Sequence, residues 1–266
     1  MPPVREQPPQ QAPPVQRLRV RYAKRGRLRF TSHRDFSRAF ERAVVRAQVP
    51  VAYSSGFSPH PRISYAGAAP TGASSEAEYL EIALAHQVLP DQLQEELDAA
   101  LPPGLDVLEV VEAEGPGLAD RLEASVWRTR LPGLPPETVQ DAVRAFLAAA
   151  EVPVERMTKK GLRTFDCRAA VVRLEVQGQA DGGVDGPGES SAPPETGAPC
   201  AILETVLRHG TPSVRPDDVL AGLRSIAGLE APAAPHHERL AQGPLDVEHG
   251  TVGDPLAGNR DAADRR

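Results

Sequence analysis

The chain has 266 residues, 25% of them charged and 4% aromatic, with a net charge of -6; that is enough chain for one large or two small packed domains. No run approaches the roughly 18 apolar residues of a membrane span, and no apolar stretch of a secretory signal opens the chain, so a soluble cytoplasmic protein with no membrane partner is expected. Two cysteines, Cys167 and Cys200, are too few for a disulfide framework or a self-contained zinc site, so neither metal nor cofactor is expected.

In chain order, residues 1–16 are rich in Pro and Gln without an apolar period and are expected to be disordered. Residues 17–22 then alternate, with Arg17, Arg19 and Arg21 on one face and Leu18, Val20 and Tyr22 on the other, which predicts a half-buried strand. After Lys24-Arg25-Gly26 the alternation resumes at Arg27-Leu28-Arg29-Phe30. Phe36, Ala39, Phe40, Ala43, Val44 and Ala47 form a helical stripe; Ser32 and Asp35 fit a capping box at its start, and Pro50 stops it. A strand around 77–84, a helix from Pro90 to Leu101 and a strand at 105–112 follow, with the second strand supplied by Arg62–Tyr65 or Val51–Tyr53. The order is βαββαβ, the split βαβ or ferredoxin-like arrangement, over residues 17–114.

The pattern recurs over 120–229: a strand at 122–131, a helix at 136–149, strands near 153–158, 168–177 and 201–208, and a helix opened by Pro216. Residues 178–199, made of Gly, Pro, Ser and acid, interrupt this unit and are expected to be disordered, as is the Ala-, Gly- and Asp-rich tail 230–266. The fold class is α+β, two tandem ferredoxin-like units with disordered N-terminal, internal and C-terminal segments.

Charge is the functional signal. Between Arg17 and Val49 eleven basic residues face two acidic ones, a local charge of +9 inside an acidic chain. If Leu18 and Val20 face the helices, Arg17, Arg19 and Arg21 lie on the open sheet face, the surface that RNA-recognition modules of this topology use. Arginine there favours phosphate and ribose contacts over base stacking. Lys24, Arg27, Arg29 and Arg38 extend the patch. Ser32 and His33 open the helix, where exposed N–H groups favour an anion, although capping alone satisfies Ser32. The loop Tyr53–Arg62 carries Tyr53, Gly56, Phe57, His60 and Arg62; two prolines stiffen it and Gly56 permits a positive φ. The chain returning from the helix is expected to bring His60 and Arg62 near His33 as one anion pocket. In the second unit Lys159, Lys160 and Arg168 form either another phosphate-contacting hairpin or a charged turn. Phosphate-loop, dinucleotide, nucleophile-elbow and iron–sulfur signatures are absent, so no catalytic residue is assigned.

Lys24, Gly26, Arg29, Phe30, Ser32, His33, Asp35 and Arg38, together with Tyr53, Ser54, Gly56, Phe57, Pro59, His60, Pro61 and Ser64, give the stretch a resemblance to the radical-SAM-linked domain of unknown function. That domain occurs as an extension of some radical SAM proteins and as stand-alone actinobacterial chains. The likeness is strongest over Arg17 to Leu84 and departs at Arg34, where leucine is usual. It implies an uncharacterised protein without the radical SAM module. It also implies RNA-linked work through a neighbouring ribonuclease E/G-type enzyme, or substrate handling for a separate radical SAM protein. The expected function is RNA binding or accessory RNA processing; a metal-independent ribonuclease using His33 or His60 is the weaker reading.

Overall fold

The computed structural model describes residues 10–158, 161–178 and 199–263. The described residues are mixed α/β, with a large mixed sheet of eight strands and five helices among them. It divides into two units: the first takes residues 1–71, 78–119 and 256–266, the second residues 72–77 and 120–255. Among the described residues no helix is long and apolar enough to cross a membrane.

The first unit opens with β1 (Gln16–Lys24), whose Leu18, Val20 and Tyr22 are buried as the alternation predicts. A 3-10 turn spans Gly26–Phe30, followed by α1 (His33–Arg46), β2 (Ile63–Ala66), β3 (Ser74–Leu84), α2 (Pro90–Ala100) and β4 (Leu105–Glu112). The strand order is β4-β1-β3-β2, with β4 antiparallel to β1 and β2 antiparallel to β3. Phe36, Phe40, Ala43 and Val44 of α1 and Leu93 and Leu97 of α2 pack on Leu18, Val20, Leu80, Ile82 and Leu84. Tyr22 stacks on Phe36 with centroids 4.4 Å apart, and Tyr65 meets Phe36 edge-on at 5.8 Å. Such aromatic pairs add about 0.5–1.5 kcal/mol each beyond the area they bury.

The second unit contains β5 (Ala124–Pro132), α3 (Pro136–Ala148), a hairpin of β6 (Pro153–Thr158) and β7 (Gly161–Asp166), β8 (Val171–Gln177), β9 (Cys200–Arg208), α4 (Pro216–Ala227) and β10 (His236–Gly243). Its strands run β10-β5-β9-β8, all antiparallel, and Ser74 and Ser75 at the start of β3 pair in parallel with Glu238 and Arg239. Val139, Ala142, Val143 and Phe146 of α3 are buried, as is Leu223 of α4. Burial pushes the Cys167 thiol up to about 12, so it behaves as a small apolar side chain here. A short hairpin of β11 (Leu245–Asp246) and β12 (Thr251–Val252) follows, and α5 (Ala257–Ala263) then returns to the first unit.

Three expectations are corrected and one open alternative is decided. Residues 230–266 hold β10, the short hairpin and α5, with Leu256 wholly buried. The composition misled because the buried side chains of β10 are polar: His237, Arg239 and Gln242. Residues 10–16 are tied down, with the Val15 N–H donating to the Leu84 carbonyl at 2.8 Å and the Gln11 N–H to the Ser55 hydroxyl at 2.9 Å. The Arg27–Phe30 stretch is a 3-10 turn rather than strand, held where the Arg25 N–H meets the Gly104 carbonyl at 2.8 Å. Gly104 sits at φ +93, and a Cβ there would lie 3.1 Å from the Arg25 carbonyl oxygen, so glycine suits the approach. Of the two candidates for the second strand, residues 63–66 form it, while Val51 and Tyr53 make isolated bridges. The disorder expected for residues 1–9, 179–198 and 264–266 lies outside the described residues.

Candidate nucleic-acid interface

The basic segment separates into arginines that hold the fold and arginines that do not. Arg19 is the first kind: it is 1% exposed and faces away from the core, yet solvent does not reach it. Its Nε donates to Glu81 at 3.3 Å, Nη1 to the Glu114 carbonyl and to Asn259 Oδ1 at 3.0 Å each, and Nη2 to the Pro116 carbonyl at 2.5 Å. Asn259, 1% exposed, in turn donates to the Glu112 carbonyl at 2.6 Å, and Arg260 pairs with Glu109. The returning C-terminal segment therefore covers part of the face expected to be open, which removes Arg19 from the anion-binding set. Lys24 leaves it for a similar reason: it is 4% exposed and its Nζ reaches the Ala69 and Pro70 carbonyls at 3.4 and 3.3 Å.

The second kind clusters on α1 and the loops beside it. Ser32 caps the helix, its Oγ accepting from the Asp35 N–H at 3.2 Å and donating to the Asp35 carboxylate at 2.6 Å. Arg34, Arg38 and Arg42 then lie exposed at four-residue spacing, roughly 6 Å apart along the axis. None of the three, nor Arg27 or Arg62, makes a side-chain hydrogen bond or ion pair among the described residues. Arg46 ends the row on the Ala100 carbonyl at 2.9 Å. Arg21 is half-buried, and Arg29 lies 4.7 Å over the Phe30 ring, whose residue is 60% exposed. Arg34 and Arg42 were missed in the sequence reading; their spacing with Arg38 was the available signal.

The loop is a small hairpin. The Arg62 N–H donates to the Ala52 carbonyl, the Ser54 N–H to the His60 carbonyl and the His60 N–H to Ser54 Oγ, at 2.8, 2.9 and 3.0 Å. The tip projects Phe57, and Gly56 takes the expected positive φ, +122. Beside its base a groove of about 340 Å³ is lined by Arg17, Ser54, His60, Arg62, Ser64 and Glu81. Arg17 is 60% exposed at its side chain and 3.7 Å from Glu81. Two guanidinium groups and an imidazole thus face one carboxylate, a setting that attracts an anion.

His33 does not line this groove. The strand returning from α1 brings Tyr65 to it, the rings edge-on at 5.1 Å, while His60 lies five residues upstream on the hairpin. His33 thus meets Tyr65, and His60 lines the groove. Burial pushes the Tyr65 phenol up to about 12, opposed in part by the Ser37 hydroxyl. That hydroxyl bonds the His33 carbonyl at 2.9 Å instead, and the phenolic oxygen makes no hydrogen bond of good geometry.

Arg168 belongs to the second unit, where it donates to the Val171 carbonyl at 3.1 Å. Lys159 and Lys160 lie outside the described residues. The second unit also holds polar networks that sequence reasoning missed. Trp127 Nε1 donates to Ser125 Oγ at 2.8 Å, Ser125 meets His209 Nε2 at 3.1 Å, and His209 Nδ1 meets the Leu122 carbonyl at 2.7 Å. His237 bridges Thr129 at 2.9 Å and Asp217 at 3.0 Å, and its hydrogen bond holds the Asp217 carboxyl below its ordinary range. Thr129 and Ser125 are 1% and 2% exposed, which leaves neither hydroxyl open to a substrate.

A family profile described as an uncharacterized protein conserved in bacteria (DUF2344) matches residues 17–216. No curated protein matches the chain. Among solved structures, an unknown protein from Galdieria sulphuraria aligns over 84% of this chain and 98% of its own, at 13% identity and a TM-score of 0.23.

Proposed function

The chain belongs to this uncharacterised family conserved in bacteria, and within it we propose that the first unit binds RNA through the exposed face of α1 and the adjoining groove. One observation carries the reading: Arg27, Arg34, Arg38, Arg42 and Arg62 stay unpaired among the described residues of an acidic chain. A surface built for solubility gains from mixing charges of both signs. A surface that meets a polyanion keeps its cations available, and arginine suits phosphate best. The α1 row at roughly 6 Å spacing lends itself to successive phosphates along one strand.

The same reading takes each unit as a split βαβ, supported by the βαββαβ order and the β4-β1-β3-β2 arrangement of the first and by β10-β5-β9-β8 in the second. It places the protein in the cytoplasm as an accessory of RNA metabolism. A ribonuclease E/G-type enzyme is the partner that the resemblance to the radical-SAM-linked domain implies for that role. The test is fluorescence anisotropy with a labelled single-stranded RNA across a salt series. Binding should weaken steeply with salt, by about 0.7 log units of affinity per log unit of salt for each phosphate contact. A chain that binds no RNA at low salt defeats the reading.

A further inference from the structure

The chain has eleven aromatic residues, counting phenylalanine, tyrosine and tryptophan. Among the described residues, only Phe30, Tyr53 and Phe57 of these are exposed, at 60%, 41% and 69%. A singly exposed apolar residue is ordinary. Here all three lie within 28 residues of one another, in the segment that also holds the five unpaired arginines. Two of them are presented by hydrogen-bonded supports. Phe30 ends the 3-10 turn clamped to Gly104, with the Arg29 guanidinium over its ring at 4.7 Å. Phe57 sits at the tip of the hairpin zipped by Ser54 and His60. The first unit's apolar core is complete without either, because neither ring belongs to it.

We infer that Phe30, backed by Arg29, is a stacking platform for an unpaired nucleobase and that Phe57 is a second one. The ligand is then single-stranded RNA with splayed bases, rather than a duplex or a plain polyphosphate. The inference rests on the proposed RNA binding and adds to it what the surface reads. Charge alone holds any polyanion, whereas an exposed π-face rewards only a ligand that offers another π-face. In a duplex the bases are already stacked and paired, so the platforms have nothing to engage. The guanidinium on Phe30 strengthens this arrangement, since a cation over one side of a ring adds its own attraction to the stack.

The test compares the full chain with Phe30→Ala, Phe57→Ala and Phe30→Trp. Ligands are a single-stranded oligoadenylate, a blunt RNA duplex of equal length and inorganic polyphosphate, all at one low salt concentration. Phe30→Ala should weaken oligoadenylate binding roughly 5- to 150-fold, the range of one lost base–aromatic stack. It should leave polyphosphate affinity within about twofold, and Phe30→Trp should restore the oligoadenylate affinity. Phe57→Ala should act in the same direction. Equal losses on oligoadenylate and polyphosphate, no loss on either, or duplex bound as tightly as single strand by the unmodified chain would each overturn the inference. In those cases charge-driven RNA binding still stands. A chain that binds neither RNA nor polyphosphate defeats both. Because Phe30 and Phe57 contribute nothing to the core, the variants are expected to fold, and unchanged circular dichroism confirms it.

Discussion

Replacing Arg19 by methionine separates the fold-holding arginines from the rest. Methionine keeps the aliphatic stem, so little cavity opens, but every donor disappears. The Asn259 amide oxygen loses its Arg19 bond in a site 1% exposed, and the Glu114 and Pro116 carbonyls lose theirs in partly buried ones. Glu81 keeps Arg17 at 3.7 Å and some solvent, its side chain being 21% exposed. Each buried acceptor stripped of its partner costs about 1–3 kcal/mol, and breaking a buried charged contact from one side costs about 3–5 kcal/mol. The carbonyls can recruit water, which puts the expected loss near 3 kcal/mol. Arg17→Met is the control: its exposed, long pair with Glu81 should contribute less than about 0.5 kcal/mol. Urea unfolding reads both as shifts in midpoint at an unchanged slope. RNA affinity, measured below the transition, should stay within about twofold for Arg19→Met, since Arg19 has no exposed donor. A loss under about 1 kcal/mol, or a tenfold fall in RNA affinity without loss of stability, would refute the assignment.

Neutralising the α1 row as Arg34→Gln, Arg38→Gln and Arg42→Gln together should reduce the log–log salt slope of RNA binding by about 2. Stability should stay within about 0.5 kcal/mol, and an unchanged slope would remove α1 from the interface. His209 should contribute an acid-sensitive step: burial lowers its pKa below the ordinary 6.5, so the unfolded chain takes up the proton first. That contribution is complete above pH 6.5 and fades as pH falls below it; His209→Gln should flatten this limb in urea midpoints taken at pH 7 and 5, and an equally steep fall would argue against it. Tyr65→Phe deletes a buried hydroxyl that lacks a hydrogen bond, so stability should hold or rise by up to about 1 kcal/mol, whereas a comparable loss would reveal a partner.

Local pattern was readable where local physics decides. The alternation from Arg17 to Tyr22, the stripe Phe36–Ala47 and the Ser32–Asp35 cap all appear in the folded chain, because each is fixed within a few residues by pleat, helical period or cap geometry. What escaped depends on distant chain. Alternation put Arg19 opposite the core but could not say that Asn259, 240 residues later, would close over it. Lys24 reads as one more surface cation until the Ala69 and Pro70 carbonyls are seen around it. His236–Gly243 carries no hydrophobic signature, since His237, Arg239 and Gln242 are buried by hydrogen bonding rather than by apolarity. Four residues of alternation at Arg27–Phe30 were too few to tell a strand from a 3-10 turn. The site was legible as a charge excess; which arginines remain unpaired was not.

The return of residues 256–263 to the first unit sets an order of events during synthesis. A nascent chain that has reached residue 119 already contains the strands and both large helices of that unit, yet the Arg19 guanidinium still lacks one of its acceptors. The whole of residues 120–255 must be made before Leu256, Asn259 and Arg260 become available. The first unit is therefore begun first and finished last, and its closing contact spans nearly the full sequence, the kind of long-range closure that slows folding. Until then the arginine-bearing face stays uncovered beside Glu81 and Glu109, so the nascent protein presents more accessible guanidinium than the finished one.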